Sequence, residues 1–225
     1  MGGSYHICRA ACGVWLAVGG LDHHRSEAPD VSSTFNVVRS KTVDVKTVAA
    51  LSGTSNQCIS SPDPKVGQCS GEVQPSVYAT FTSRGVMTFD LTPLANDQAL
   101  TVTAAVLNVS LGNIAGDPFA TLGGKLLAEH VYFGGTYSDT SPTLSACFGL
   151  LCKTGSTTLA TSGWGGALRS IDATWEVRDD LAKRVSRENR SQFRFRFPIP
   201  TNGSEVLLVW LITGMSSIHV TYEYP

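Results

Sequence analysis

From about residue 76 onward, apolar and polar residues alternate in short runs separated by turn residues. The clearest run is Gln192-Phe193-Arg194-Phe195-Arg196-Phe197-Pro198. Successive side chains of a strand point to opposite faces, so the three Phe share one face and the two Arg the other. Val206 to Ile212 is apolar throughout, as in a strand buried on both faces. Ile218 to Tyr224 alternates again after Gly214. Further strands are predicted at Val77–Phe81, Gly85–Leu91, Thr101–Leu111 and Lys125–Phe133, with Gly, Pro, Asn or Asp in each gap. Phe35 to Val48 reads as one or two strands. Residues 51–74 read as a long polar loop, and residues 134–170 as an excursion from the pattern. Helical spacing occurs once: Val177, Leu181 and Val185 recur every four residues, with Asp172 or Thr174 as candidate N-cap. The pattern predicts an all-β fold, a jelly-roll-like antiparallel β-sandwich with one short helix at about 174–187.

The chain has 225 residues, 42% hydrophobic and 16% charged, with a formal net charge of −1. This length suits a single all-β domain, here taken as residues 35–225. A near-neutral balance argues against a nucleic-acid partner, since phosphate contacts need a basic surplus. Residues 1–21 resemble a secretory signal, with a basic start and a short apolar stretch from Ala10 to Leu21. That stretch is too short for a membrane span. Residues 22–34 read as a polar leader. The expected location is therefore extracellular.

The cysteines agree with export. Cys58 and Cys69, and Cys147 and Cys152, form two close local pairs, as in loop-stapling disulfides whose connectivity stays open. Zinc fits less well, because neither spacing is Cys-x-x-Cys and no His lies nearby. Asp22, His23 and His24 suit a metal or simply a polar leader; no metal or cofactor is expected. Asn108, Asn189 and Asn202 begin Asn-x-Ser sequons and are glycan acceptors in a eukaryotic host.

Arg84-Gly85-Val86-Met87-Thr88-Phe89-Asp90-Leu91, followed by Ala104 to Val109, resembles the opening of DNRLRE-type domains. Asp172-Ala173-Thr174 and the closing Ile218 to Glu223 resemble later segments of that family. The resemblance covers about residues 76–225. It departs from the family in lacking the literal motif and the Pro of the final strand, and in carrying an extra stretch from Cys147 to Gly166. It implies a secreted jelly roll, in a family where some members bind acidic polysaccharide. It carries over no contact residues.

Arg184, Arg187, Arg190, Arg194 and Arg196 fall within thirteen residues. Guanidinium groups bind carboxylate or sulfate through paired N–H groups, and Arg194 and Arg196 would sit about 6.5–7 Å apart on one strand face. The plain alternative is a solvated face salt-bridged to Asp179, Asp180 or Glu223. Trp164, in a Gly-rich stretch, is a candidate for stacking on a sugar, helped by Tyr132, Tyr137 or Trp175; otherwise it packs on the core. No Gly-x-Ser-x-Gly elbow occurs, and no catalytic residues are assigned. The expected function is non-catalytic recognition of an extracellular, acidic polysaccharide. The alternative is a structural subunit of a filament, coat or matrix, assembled from copies of itself by exchange of the Val37-Val38 or Val43–Val48 strand.

Overall fold

A long first strand, β1 (Val31–Leu51), joins the two halves of the fold. Its start, Val31 to Asn36, pairs with Tyr222 to Ser217 of the last strand, β9 (Leu207–Glu223). From Val37 onward it pairs instead with β3 (Val77–Asp90). The computed structural model describes residues 30–51, 63–74, 77–97, 99–134, 153–162, 166–199 and 206–225.

The other strands are β2 (Lys65–Gln74), β4 (Thr101–Ala115), β5 (Leu126–Val131), β6 (Lys153–Ala160), β7 (Ala167–Asp172) and β8 (Arg190–Arg196). All pairings among the described residues are antiparallel. One sheet has the order β1-β9-β4-β7 and the other β3-β8-β5-β6. These are the two four-stranded sheets of a jelly roll, linked along one side by β1. β2 is additional: it pairs with β9 at its start and with β3 at its end, so it too passes between the sheets.

The core lies between the sheets. Met87, Phe89, Phe193, Phe195, Leu107, Val109, Leu211, Ile218 and Val220 meet there, with Phe89 edge-on to Phe193. The Phe face of β8 is where the alternation placed it. A helix, α3 (Thr174–Ala182), closes one end through Val177 and Leu181, and two four-residue helices, α1 (Thr92–Ala95) and α2 (Pro118–Thr121), fill turns.

Several boundaries differ from the sequence expectation. β1 starts at Val31, inside the expected leader, because β9 offers it a partner. Lys65–Gln74 is a strand rather than part of a loop, and β6 and β7 occupy part of the expected excursion. The helix ends at Ala182, and turns continue to Asn189. β9 runs through Gly214 as a single strand. Its pairing with β4 jumps from Ser217 to Ile212, and the Ser216 hydroxyl spans the bulge, donating to Ile212 O (2.7 Å) and accepting from Ser110 N (3.1 Å). The segments considered for strand exchange, Val37-Val38 and Val43–Val48, lie in β1 against β3 of the same chain. Among the described residues, no helix is long and apolar enough to cross a membrane.

Gly67 sits where β2 crosses between the sheets, opposite Leu208 on one side and Ser83 on the other. Its φ is +128°, and an added Cβ would lie 2.0 Å from Leu207 O. Gly67→Ala is expected to destabilise the protein by about 2 kcal/mol or more in urea unfolding, through both strain and clash. Gly124 also has positive φ but nothing within 4 Å of its Cβ position, so Gly124→Ala should cost visibly less.

Candidate functional site

The two sheets present different outer faces. That of β3-β8-β5 is closed to solvent. Arg194 is 2% exposed, and Glu129, Gln192 and Thr88 are fully buried. Register places Glu129 of β5 directly opposite Arg194 of β8. Arg194 Nε donates to Glu129 Oε2 at 2.8 Å, with Nη2 2.6 Å from the same oxygen. Arg196 reaches Oε1 with Nε at 3.0 Å and Nη2 at 2.9 Å. Arg196 also donates through Nη1 to the carbonyls of Phe197 and Pro198.

Burial alone would raise the Glu129 pKa. The hydrogen bonds and positive charges of Arg196 and Arg194 outweigh it, and the carboxyl is held below its usual range. Arg84 adjoins this cluster. Burial, then the nearby Arg194 and Arg196, lower its pKa to about 10. Beside it, Gln192 clamps the end of β5: its Oε1 accepts from Phe133 N (3.0 Å), and its Nε2 donates to Gly134 O (2.8 Å).

A second buried network ties α3 to β5. His130 Nε2 lies 2.9 Å from Asp180 Oδ2 and 3.0 Å from Oδ1, and Arg187 Nη1 donates to Asp180 Oδ1. Arg187 Nη2 bonds Asp179 Oδ2 (2.7 Å), and Lys183 pairs with the other Asp179 oxygen (2.7 Å).

The expectation of a solvent-facing arginine cluster is therefore corrected. Arg187 and Arg194 are buried, and with Arg196 they serve internal carboxylates. Arg190 is half-buried opposite Asp90, and Arg184 reaches the surface beyond α3. Trp164, Cys58, Cys147, Cys152, Tyr137, Asn202 and residues 22–24 lie outside the described residues. Cys69 is buried, its Sγ 3.1 Å from Ser83 Oγ. Asn108 lies on β4, its amide oxygen accepting from Ser170 Oγ (2.6 Å), and Asn189 occupies a left-handed turn before β8.

The outer face of β1-β9-β4-β7 is open. Register aligns Asn36, Ser217, Asn108 and Ser170 in one row across the four strands. Thr34, His219, Val106 and Asp172 form the next row, and Ser32, Thr221 and Ala104 a third. Thr34 Oγ1 lies 3.1 Å from His219 Nδ1. Towards α3 the rows run into a depression of about 510 Å3, lined by Ala104, Val106, Ser170, Asp172, Thr174 and Arg178.

Local bonds hold this end in place. Ala173 is the helix N-cap and supplies no side-chain cap; Asp172 instead accepts from Thr174 N (2.9 Å) and Oγ1 (2.6 Å). Those bonds hold the Asp172 carboxyl below its usual range. Thr174 Oγ1 also accepts from Ala105 N (2.9 Å), and Arg178 Nε donates to Val102 O (2.8 Å). Trp175, one helical turn before Arg178, is 60% exposed. Among the described residues, no cluster of three His, Cys, Asp or Glu could hold a metal ion. Compared with known proteins, the chain matches no family model and no curated protein sequence.

The buried cluster generates a stability test. Glu129→Gln leaves two guanidinium groups without their carboxylate and should cost about 3–5 kcal/mol in urea unfolding. The folded-state pKa of Glu129 is depressed, so its contribution is present above the unfolded value of about 4.3 and is lost as pH falls through the folded pKa. Below that range, parent and Glu129→Gln unfolding curves should converge.

Proposed function

We propose that the protein is a secreted, non-catalytic module that binds an extracellular polysaccharide bearing acidic groups, on the open face of β1-β9-β4-β7. One observation carries this reading: the rows of hydroxyl and amide side chains across four strands, leading to the depression at Arg178. Such side chains both donate and accept, matching the hydroxyls of a sugar chain. Four strands at about 4.8 Å spacing make a platform wide enough for several sugar rings. Arg178 offers a guanidinium to a carboxylate or sulfate, and the exposed ring of Trp175 offers an apolar surface for a sugar face.

The close spacing of the cysteines in the sequence supports an oxidising compartment, as does the signal-like start of the chain. The resemblance to DNRLRE-type domains points to the same ligand class. A jelly roll hosts many functions, so the open face and not the strand order supports this reading. The strand-exchange alternative has less support, since the segments considered for exchange already pair with β3 of their own chain.

The test is a glycan array containing neutral, uronic and sulfated polymers, followed by calorimetry on the best ligand. The expected result is binding to acidic polymers that weakens with salt. Trp175→Ala and a paired Thr34→Ala/Ser217→Ala variant should each weaken it by about tenfold, at unchanged melting temperature. Absence of binding across the array, or full affinity in both variants, would sink the proposal.

A further inference from the structure

Arg178 also borders a second cavity, on the side of α3 facing α1, of about 270 Å3. Its floor is apolar: Leu94, Val102 and Leu181 are buried, and Leu100 is partly so. Its mouth carries Arg178, Arg184 and Asp97. The Arg178 side chain is braced by its bond to Val102 O (2.8 Å), with Nη2 3.4 Å from Thr103 O. The Arg184 guanidinium makes no hydrogen bond or ion pair with the described residues. The Asp97 carboxylate accepts from Ala99 N (3.0 Å) and adjoins the Tyr224 hydroxyl. Two guanidinium groups and one occupied carboxylate thus stand over an apolar pit.

We propose that this cavity binds a compact organic anion: a carboxylate on a small aromatic or short acyl body. The body would fill the space over Leu94, Val102 and Leu181, and the carboxylate would meet Arg184 and Arg178 at the mouth. Apolar enclosure with a few convergent polar groups is the usual construction of a small-molecule site. Paired N–H groups of arginine match carboxylate geometry. A sugar ring suits this cavity poorly, because it would set hydroxyls against three aliphatic side chains. The site is therefore distinct in chemistry from the open sheet face, although Arg178 borders both.

The test is a titration of the full chain with phenylacetate and with hexanoate, followed by calorimetry and protein-observed NMR. Acetate, which lacks the apolar body, and phenylacetamide, which lacks the charge, are the controls. Both carboxylates should saturate one site, and each control should bind about tenfold more weakly or worse. Arg184→Ala should lower affinity by about tenfold, since a charge-assisted contact is lost from a surface side chain. Ala182→Phe, at an exposed position on the cavity wall, should fill the space and block binding; unchanged melting temperatures show that both variants fold. The inference is overturned if neither carboxylate saturates by about 10 mM, if acetate binds as well as phenylacetate, or if either variant binds like the parent. No glycan enters this titration, so its outcome is independent of the polysaccharide test.

Discussion

A carboxylate taken out of water must be matched by charge and by hydrogen bonds, and in this protein Glu129 is that carboxylate. It sits on β5, fully buried, with a guanidinium group on each oxygen. Both partners come from β8, the strand that also supplies Phe193 and Phe195 to the core. One strand therefore holds the hydrophobic centre with one face and an ionic centre with the other. Replacing such a pair by well-packed apolar residues is often neutral, but removing one member leaves a buried charge. The pair therefore ties the register of β5 on β8 to a specific chemical match: a shift by one residue would turn Glu129 to the opposite face, away from both arginines. The second network, from His130 through Asp180 to Arg187, sets α3 on that same strand pair.

These contacts divide the surface between the sheets. The β3-β8-β5 side has its charges paired and largely buried, whereas the β1-β9-β4-β7 side presents short neutral side chains at regular spacing. In the rows named, His219 and Asp172 are the only ionisable groups. A sheet face of this kind is well hydrated without being strongly charged, and it is flanked at the α3 end by Arg178. The two cavities border the same arginine yet differ in lining: Ser170, Asp172 and Thr174 on one side, Leu94, Val102 and Leu181 on the other.

Much of the fold was legible in the sequence. The alternation in β3, β4 and β8, the apolar run in β9 and the Val177–Leu181 part of the stripe in α3 follow from which positions face the core; Val185 lies past the helix end and is exposed, and β5 is buried on both faces. β6 was not legible, because Ser156, Thr157 and Thr158 are all exposed on a strand that pairs on one side only among the described residues. β2 carries Gly67 and Gly71 and reads as a turn; its neighbours β3 and β9 make it a strand. The burial of Arg194 could not be read locally. Its partner lies on a distant segment, and only the pairing of β5 with β8 brings them together. The open face was hidden for the same reason: its rows exist only once four separate strands are in register.

The way β1 joins the sheets also bears on the order in which the molecule forms. Its first residues pair with the end of β9, the last strand of the chain, while its later residues pair with β3. During synthesis β3 is available early, but β9 is not made until the end. Non-local pairing of this kind raises the contact order and slows folding. Half of β1 and one edge of β4 must then wait without their partner strand, exposed to other chains. In the finished domain each half of β1 has its partner strand within the chain, so the wait for β9 belongs to assembly.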